Sequence, residues 1–216
     1  MVLDRSGPEV TAGKVNARYL RMPHVESGMV VGLFGGSFNP PHEGHVLVAD
    51  TAIQRLGLDQ LWWMVTPGNP LKDHNNLAPL ADRIAMSEKI APNPRIKVTA
   101  FEQALGQSYT ARTLEMVRAR NRGIRFVWIM GADNLKSFHR WQNWQKIART
   151  FPIAVIDRPG STLAYLSSRM ARTFDYARID EDDARRLAYH AAPAWTFIHG
   201  PRSSMSSTAL RAAKPT

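Results

Sequence analysis

From residue 29 onward, short apolar runs alternate with stretches whose apolar residues recur at helical spacing. MVVGLF (29–34) is unbroken, the pattern of a strand buried on both faces. In the following EGHVLVADTAIQRLG, Val46, Ala49, Ile53 and Leu56 share one helical face, and Gly57 supplies a stop. QLWWMVTP (60–67) predicts a second strand, ended by Pro67, Gly68, Asn69 and Pro70. A helix over 80–91, a strand over 95–101, a helix over 110–122 and a strand over 124–131 follow. Then come a helix over 143–150 and a strand over 151–160 that closes in a Pro-Gly turn. Residues 162–171 and 181–191 carry weaker helical patterns, and 194–200 reads as a last strand. Beyond it, serines and a threonine precede a short helix start at 205–211.

This alternation predicts an α/β fold: a single Rossmann-like, doubly wound, mostly parallel sheet with helices on both faces. Residues 1–28 mix Gly, Pro, Ser and charges without periodicity. They read as an extension outside the core, leaving 29–216 as the domain. In such a sheet, ligands sit beyond the carboxyl ends of the strands. The segments just past the strands are GGSFNPPHEGH, PGNPLK, GADN, DRPG and SSMSSTALR, and these carry the chemistry.

Composition narrows the partners. With 28 Lys and Arg against 18 Asp and Glu, the formal charge is +10, which favours anionic ligands. The cations are scattered, as in Arg112, Arg118, Arg120, Arg122 and Arg125, rather than gathered into a nucleic-acid tail, and an ordinary solvated surface accounts for them equally well. No apolar stretch approaches the roughly 18 residues of a membrane span, and the first residues show no secretory pattern. The absence of cysteine excludes disulfides and thiolate metal sites and fits a cytoplasmic protein.

At the predicted sheet edge, Gly35 and Gly36 lack a Cβ, which lets the backbone turn and approach a ligand closely. The helix that follows offers unpaired N–H groups to a phosphate. His42 and His45 are three apart, so a helix starting near His42 sets both imidazoles on one face as donors to phosphate oxygens. Two such histidines can also ligate zinc if His74, His139, Asp73 or Asp133 supplies a third ligand. Nothing in the turn calls for a metal, and no metal ligand is assigned. At the other end of the chain, Ser206, Ser207 and Thr208 supply hydroxyls and helix N-terminal N–H groups. Arg211 adds a guanidinium one turn later, which makes a second phosphate clamp that doubles as a helix cap.

GGSFNPPHEGH and MSSTALR together resemble the two signatures of the nucleotidyltransferase superfamily. Between Met29 and Arg211 the resemblance is closest to the bacterial nicotinate-nucleotide adenylyltransferases, through PGNPLK, RIAM (83–86), SYTARTLE (108–115), GADNLKSFHRWQNW (131–144) and DRPG. The resemblance implies that His42 and His45, with Arg211, act on the ATP phosphates in the transition state. It implies ATP or phosphate contacts for Gly35, Gly36, Ser37, Phe38, Gly131, Asp133, Ser206, Ser207 and Thr208. It sets Asn69, Lys72, Tyr109, Thr110, Trp141 and Arg158 on nicotinate mononucleotide, with Asp133 and Arg158 towards its nucleotide side. Lys72 also fits a solvent-facing lysine, and Trp141 with Trp144 also fits the core face of a helix.

Four positions depart from the pattern: Asn39 where aspartate is usual, Ser37 where threonine is frequent, and Met205 and Leu210 in place of isoleucines. The implied reaction is adenylyl transfer from ATP to nicotinate mononucleotide, giving deamido-NAD and pyrophosphate in NAD biosynthesis. Attack is in line, without a covalent intermediate, and Mg²⁺ is carried mainly by the substrate phosphates. Nicotinamide mononucleotide and phosphopantetheine are alternative acceptors. A basic nucleic-acid-binding protein is a different reading, but Trp62, Trp63 and Trp128 lie in apolar strands rather than basic clusters. The expected partners are therefore ATP and the mononucleotide, not nucleic acid or a membrane.

Overall fold

A computed structural model describes residues 15–68, 77–105, 109–158, 163 and 167–200. Six strands form one sheet: β1 (Val30–Gly36), β2 (Gln60–Val65), β3 (Ile96–Thr99), β4 (Arg125–Gly131), β5 (Ile153–Ile156) and β6 (Trp195–Ile198). Their order is β3-β2-β1-β4-β5-β6 and every pairing is parallel. This is the doubly wound order in which the chain winds to one side from β1 and then restarts beside it with β4. All six strands coincide with apolar runs in the sequence.

Among the described residues the α-helices are α1 (Glu43–Leu56), α2 (Leu80–Ile90), α3 (Phe101–Ala104), α4 (Thr110–Arg120), α5 (Ala132–Leu135), α6 (Trp144–Thr150) and α7 (Arg169–Thr173). Period-two alternation within the strands sends side chains to two separate cores. One face joins Phe34, Leu61, Trp63, Val127, Ile129 and Ile156 to Ala49, Ala52, Ile53 and Leu56 of α1 and Ile84 of α2. The other joins Leu33, Trp62, Trp128, Val155 and Phe197 to Leu114 and Val117 of α4, Ile147 of α6 and Met170 of α7. Helix α1 stops at Gly57, which takes the left-handed conformation at φ 64° and donates its N–H to the Ile53 carbonyl.

Two of the predicted helices come out differently. Only 169–173 of the stretch 162–171 and its continuation forms a described helix, begun by the Ser168 side chain accepting from the Ala171 N–H. Residues Glu181–Tyr189 form a 3₁₀ helix, capped by the Asp180 side chain, whose Ala184 and Leu187 are buried against the sheet. The strand expected over 95–101 ends at Thr99, and Phe101 already starts α3.

The described part of the expected extension, residues 15–28, packs partly buried side chains against both cores. Val15 and Tyr19 pack against one core and Met22 and Val25 against the other. The Tyr19 carbonyl accepts from the Ala100 N–H at 2.8 Å and from the Thr99 hydroxyl at 3.1 Å. The segment therefore lies over the end of the edge strand β3, where exposed backbone groups would otherwise invite another strand. Residues 1–14 lie outside the described part.

Candidate active site

Strand β1 carries Gly35 and Gly36 as its last two residues, next to β2 on one side and β4 on the other. Gly35 is required by packing: a Cβ there would stand 2.8 Å from the Trp128 ring. The sharp turn that the sequence assigned to the glycines falls instead at Phe38, whose φ is 45°. A bulky residue in that region costs about 1–3 kcal/mol, so its surroundings must hold it there. They do: Phe38 is buried, its ring 4.6 Å from Trp63, 5.4 Å from Phe34 and 5.0 Å from His45.

His42 is the N-cap of α1 rather than part of it. Its Nδ1 accepts from the Gly44 N–H at 3.1 Å, and the His42 N–H donates to Nδ1 of His45 at 3.3 Å. Both Nδ1 atoms thus act as acceptors, which assigns the ring proton of each neutral imidazole to Nε2. The rings lie against one another with centroids 3.8 Å apart. His42 is only 2 % exposed. Burial first, then the Arg158 guanidinium, lowers its pKa to about 4, with Asp133 acting in the opposite sense. His42 is therefore neutral at neutral pH and donates as an imidazole, not an imidazolium.

Arg158 and Asp133 reach this pair from β5 and β4. Arg158 stands two residues past the end of β5 and is mostly buried, with its Nε 3.8 Å from Oδ1 of Asp133 in α5. Gly131, the last residue of β4, leaves room for them: a Cβ there would meet Asp133 Oδ1 at 2.5 Å and Arg158 Cδ at 2.7 Å. His42, Gly131, Asp133 and Arg158 thus meet at the crevice where strand order reverses, the place such folds use for ligands.

Of the residues expected around nicotinate, Tyr109, Thr110 and Trp141 lie at or just before the starts of α4 and α6. Tyr109 precedes α4 and is 43 % exposed, and Thr110 is its first residue. Trp141 sits in the link between the 3₁₀ turn Phe138–Arg140 and α6, half-buried, with its ring 6.2 Å from Trp128 and 5.3 Å from Phe138. Trp144 is the first residue of α6 and packs on Phe138 and Phe174. The two tryptophans therefore do not share one helix, although both border the core. Asn69, Lys72, Asp73, His74, Ser206, Ser207, Thr208 and Arg211 lie outside the described residues. Among the described residues, no three His, Asp or Glu side chains gather as a metal site would need.

One buried side chain escaped the reading of the residues themselves. Arg83 of α2 is 1 % exposed and donates to the backbone carbonyls of Ser37, Thr66, Pro67 and Ala78. Its signal was an arginine in phase with the buried positions Ile84 and Ser87 of an amphipathic helix. Asn39 adds a second tie, its Oδ1 accepting from the Ala78 N–H at 3.1 Å.

Residues 33–213 match the cytidylyltransferase-like family. The chain belongs to that family. It is 81 % identical over 186 residues to the probable nicotinate-nucleotide adenylyltransferase of Rhizobium meliloti, covering 86 % of this chain and 99 % of that one. The Brucella abortus protein of the same name is 68 % identical, with 85 % and 94 % covered. A solved structure of Plasmodium falciparum nicotinic acid mononucleotide adenylyltransferase complexed with NaAD has the same fold, with a TM-score of 0.61 at 18 % identity over 85 % of this chain and 83 % of that one. In this cytidylyltransferase-like chain, the paired histidines stand at the strand ends where such folds gather ligands.

Proposed function

We infer that the chain transfers the adenylyl group of ATP to nicotinate mononucleotide, yielding deamido-NAD and pyrophosphate. The observation that carries the chemistry is the His42–His45 pair, with each Nδ1 engaged by a backbone N–H of the same helix start. A phosphate oxygen of the mononucleotide attacks the α-phosphorus of ATP, and the bond to the bridging oxygen of pyrophosphate breaks. The attacking oxygen is already ionised, so no general base is needed, and catalysis is positioning plus electrostatic stabilisation. Two Nε2–H donors at the N-terminus of α1 suit the charge that builds on the α-phosphate oxygens.

On this reading, Gly35, Gly36, Ser37 and Phe38 form the floor for the phosphates, and Ser206, Ser207, Thr208 and Arg211 the second clamp. Gly131 and Asp133 face the ATP side. Arg158, assigned by resemblance to the mononucleotide, stands where it can also balance phosphate charge beside His42. Asn69, Lys72, Tyr109, Thr110 and Trp141 receive the acceptor, with Trp141 offering a flat face to the pyridine ring. The donor set at this edge suits Mg²⁺ borne by substrate phosphates and water: Asp133 already faces Arg158, and among the described residues no carboxylate cluster competes. When bound, Mg²⁺ would neutralise phosphate charge. The reaction fits the cytoplasm, and no helix among the described residues is long and apolar enough to cross a membrane.

Pyrophosphate release with ATP and Mg²⁺, measured against nicotinate mononucleotide, nicotinamide mononucleotide and phosphopantetheine, tests the assignment. The nicotinate form is expected to be used with a kcat/KM well above that of the amide, because a pocket built for a carboxylate leaves donors unpaired on the amide. Equal use of the amide would sink the carboxylate-reading pocket. No release with any acceptor would sink the enzyme.

A further inference from the structure

Arg83 is a full guanidinium buried beneath the site, yet its partners are four main-chain carbonyls rather than a carboxylate. Its Nη1 reaches the Ser37 and Thr66 carbonyls, both at 2.7 Å, its Nε the Ala78 carbonyl at 2.9 Å and its Nη2 the Pro67 carbonyl at 3.3 Å. Burial lowers its pKa to about 10, so it stays charged at neutral pH. These carbonyls come from three separate pieces of chain: the glycine-rich turn, the exit of β2 and the approach to α2. A rigid fork is what such a junction needs, since its five N–H groups have fixed directions and lose little freedom on binding.

The direction of the Ser37 bond has a consequence. A trans peptide is planar, with C=O and N–H pointing opposite ways. Holding the Ser37 carbonyl on the guanidinium therefore aims the N–H of Phe38 away from α2. Ser37 is also the residue just before the left-handed Phe38, so the same bond holds the strained step in place. The Pro67 carbonyl fixes the N–H of Gly68 in the same manner.

We propose that Arg83 is a positioning residue for adenylyl transfer, locking the phosphate turn at Ser37–Phe38 to the exit of β2 at Thr66–Pro67 through shared carbonyls. The proposal rests on the transfer reaction inferred above. It acts through backbone and never touches substrate. Misplacing a reacting group by about 1 Å can cost on the order of 100-fold in rate.

The test uses the full chain with Arg83→Lys and Arg83→Ala, each assayed for kcat, for KM of ATP and acceptor, and for folded fraction by circular dichroism. Lysine keeps the charge but not the fork, so kcat per folded molecule should fall about 10–100-fold. Millimolar guanidinium ion, far below denaturing concentrations, should restore part of kcat in Arg83→Ala and none in Arg83→Lys. ATP binding by calorimetry without acceptor should weaken several-fold in Arg83→Lys whichever acceptor the chain uses, which separates this proposal from the choice of acceptor. Normal kcat, KM and ATP binding per folded Arg83→Lys molecule would overturn it. So would a guanidinium effect that raises the folded fraction and leaves kcat per folded molecule unchanged. A chain that binds no ATP would overturn both readings.

Discussion

His42 combines two tasks in one ring. Its Nδ1 caps α1 through the Gly44 N–H, and on the proposed mechanism its Nε2–H donates to a phosphate oxygen. Asparagine at the same position can take over the cap, because its side-chain oxygen is a preferred acceptor at helix starts. His42→Asn is therefore expected to keep its stability within about 1 kcal/mol at pH 7.5 by thermal unfolding. Its kcat should fall about 10²–10³-fold, as for loss of an oxyanion donor. His45→Ala should lose a similar factor while its circular dichroism stays unchanged. The ring also carries a pH signature. Between the ordinary histidine value of 6.5 and about 4, the unfolded chain binds a proton that folded His42 refuses. Stability from this group is thus complete above about 6.5 and is lost as pH falls towards 4, and His42→Asn should remove that slope from the unfolding midpoint. The spacing of the two histidines was visible in the sequence. Their ring protons and the depressed pKa were not, because the protons follow from backbone N–H groups at the helix start and the pKa from burial first, then from Arg158 brought in by the order of the strands.

At the scale of elements, the least legible stretch was 95–105. Its apolar run continues to Phe101, but the Thr99 hydroxyl and Ala100 N–H are taken by carbonyls of residues 19 and 21, so pairing stops and α3 begins. Helix α3 then buries Glu102, which no periodicity announces. Burial raises its pKa from 4.5 to about 7, with the Thr113 hydroxyl of α4 opposing the shift. The sign is the reverse of His42: the folded protein keeps a proton that the unfolded chain releases, so stability falls as pH rises from about 4.5 through 7. Glu102→Gln keeps the shape without the charge. It should be stabilising by on the order of 2–3 kcal/mol at pH 8 and near neutral at pH 4. Unfolding midpoints across that range would show it, and a constant difference between the two proteins would contradict the assignment. The turn after β1 illustrates the same limit. Two adjacent glycines suggested where the chain bends, whereas the bend is enforced on Phe38 by packing against Trp63 and by Arg83 from a helix further along the chain.

For the molecule as a whole, alternating apolar runs were enough to foresee parallel strands with helices on both faces, since a parallel sheet needs crossover helices and buries both sides. The order that brings β1, β4 and β5 together at one crevice follows from handed connections acting on the full chain, and local pattern does not encode it. The first 28 residues show the same gap from the other side. They lack periodicity because residues 15–28 form no long regular element, yet Val15, Tyr19, Met22 and Val25 reach both cores around the β3 edge. The Tyr19 carbonyl also closes the end of β3. Each of these side chains is only partly buried and contributes on the order of 1 kcal/mol, so removing residues 1–28 should cost about 2–5 kcal/mol. At about 2–4 °C per kcal/mol for a chain of this size, the unfolding midpoint should drop by roughly 5–15 °C. Removing only residues 1–14 provides the control, because it spares all four side chains and the Tyr19 carbonyl. The shorter truncation should lose little, and the longer one should also self-associate through the uncovered edge strand, seen as a concentration-dependent sedimentation coefficient. Equal midpoints for the two truncations would show that residues 15–28 add nothing to stability.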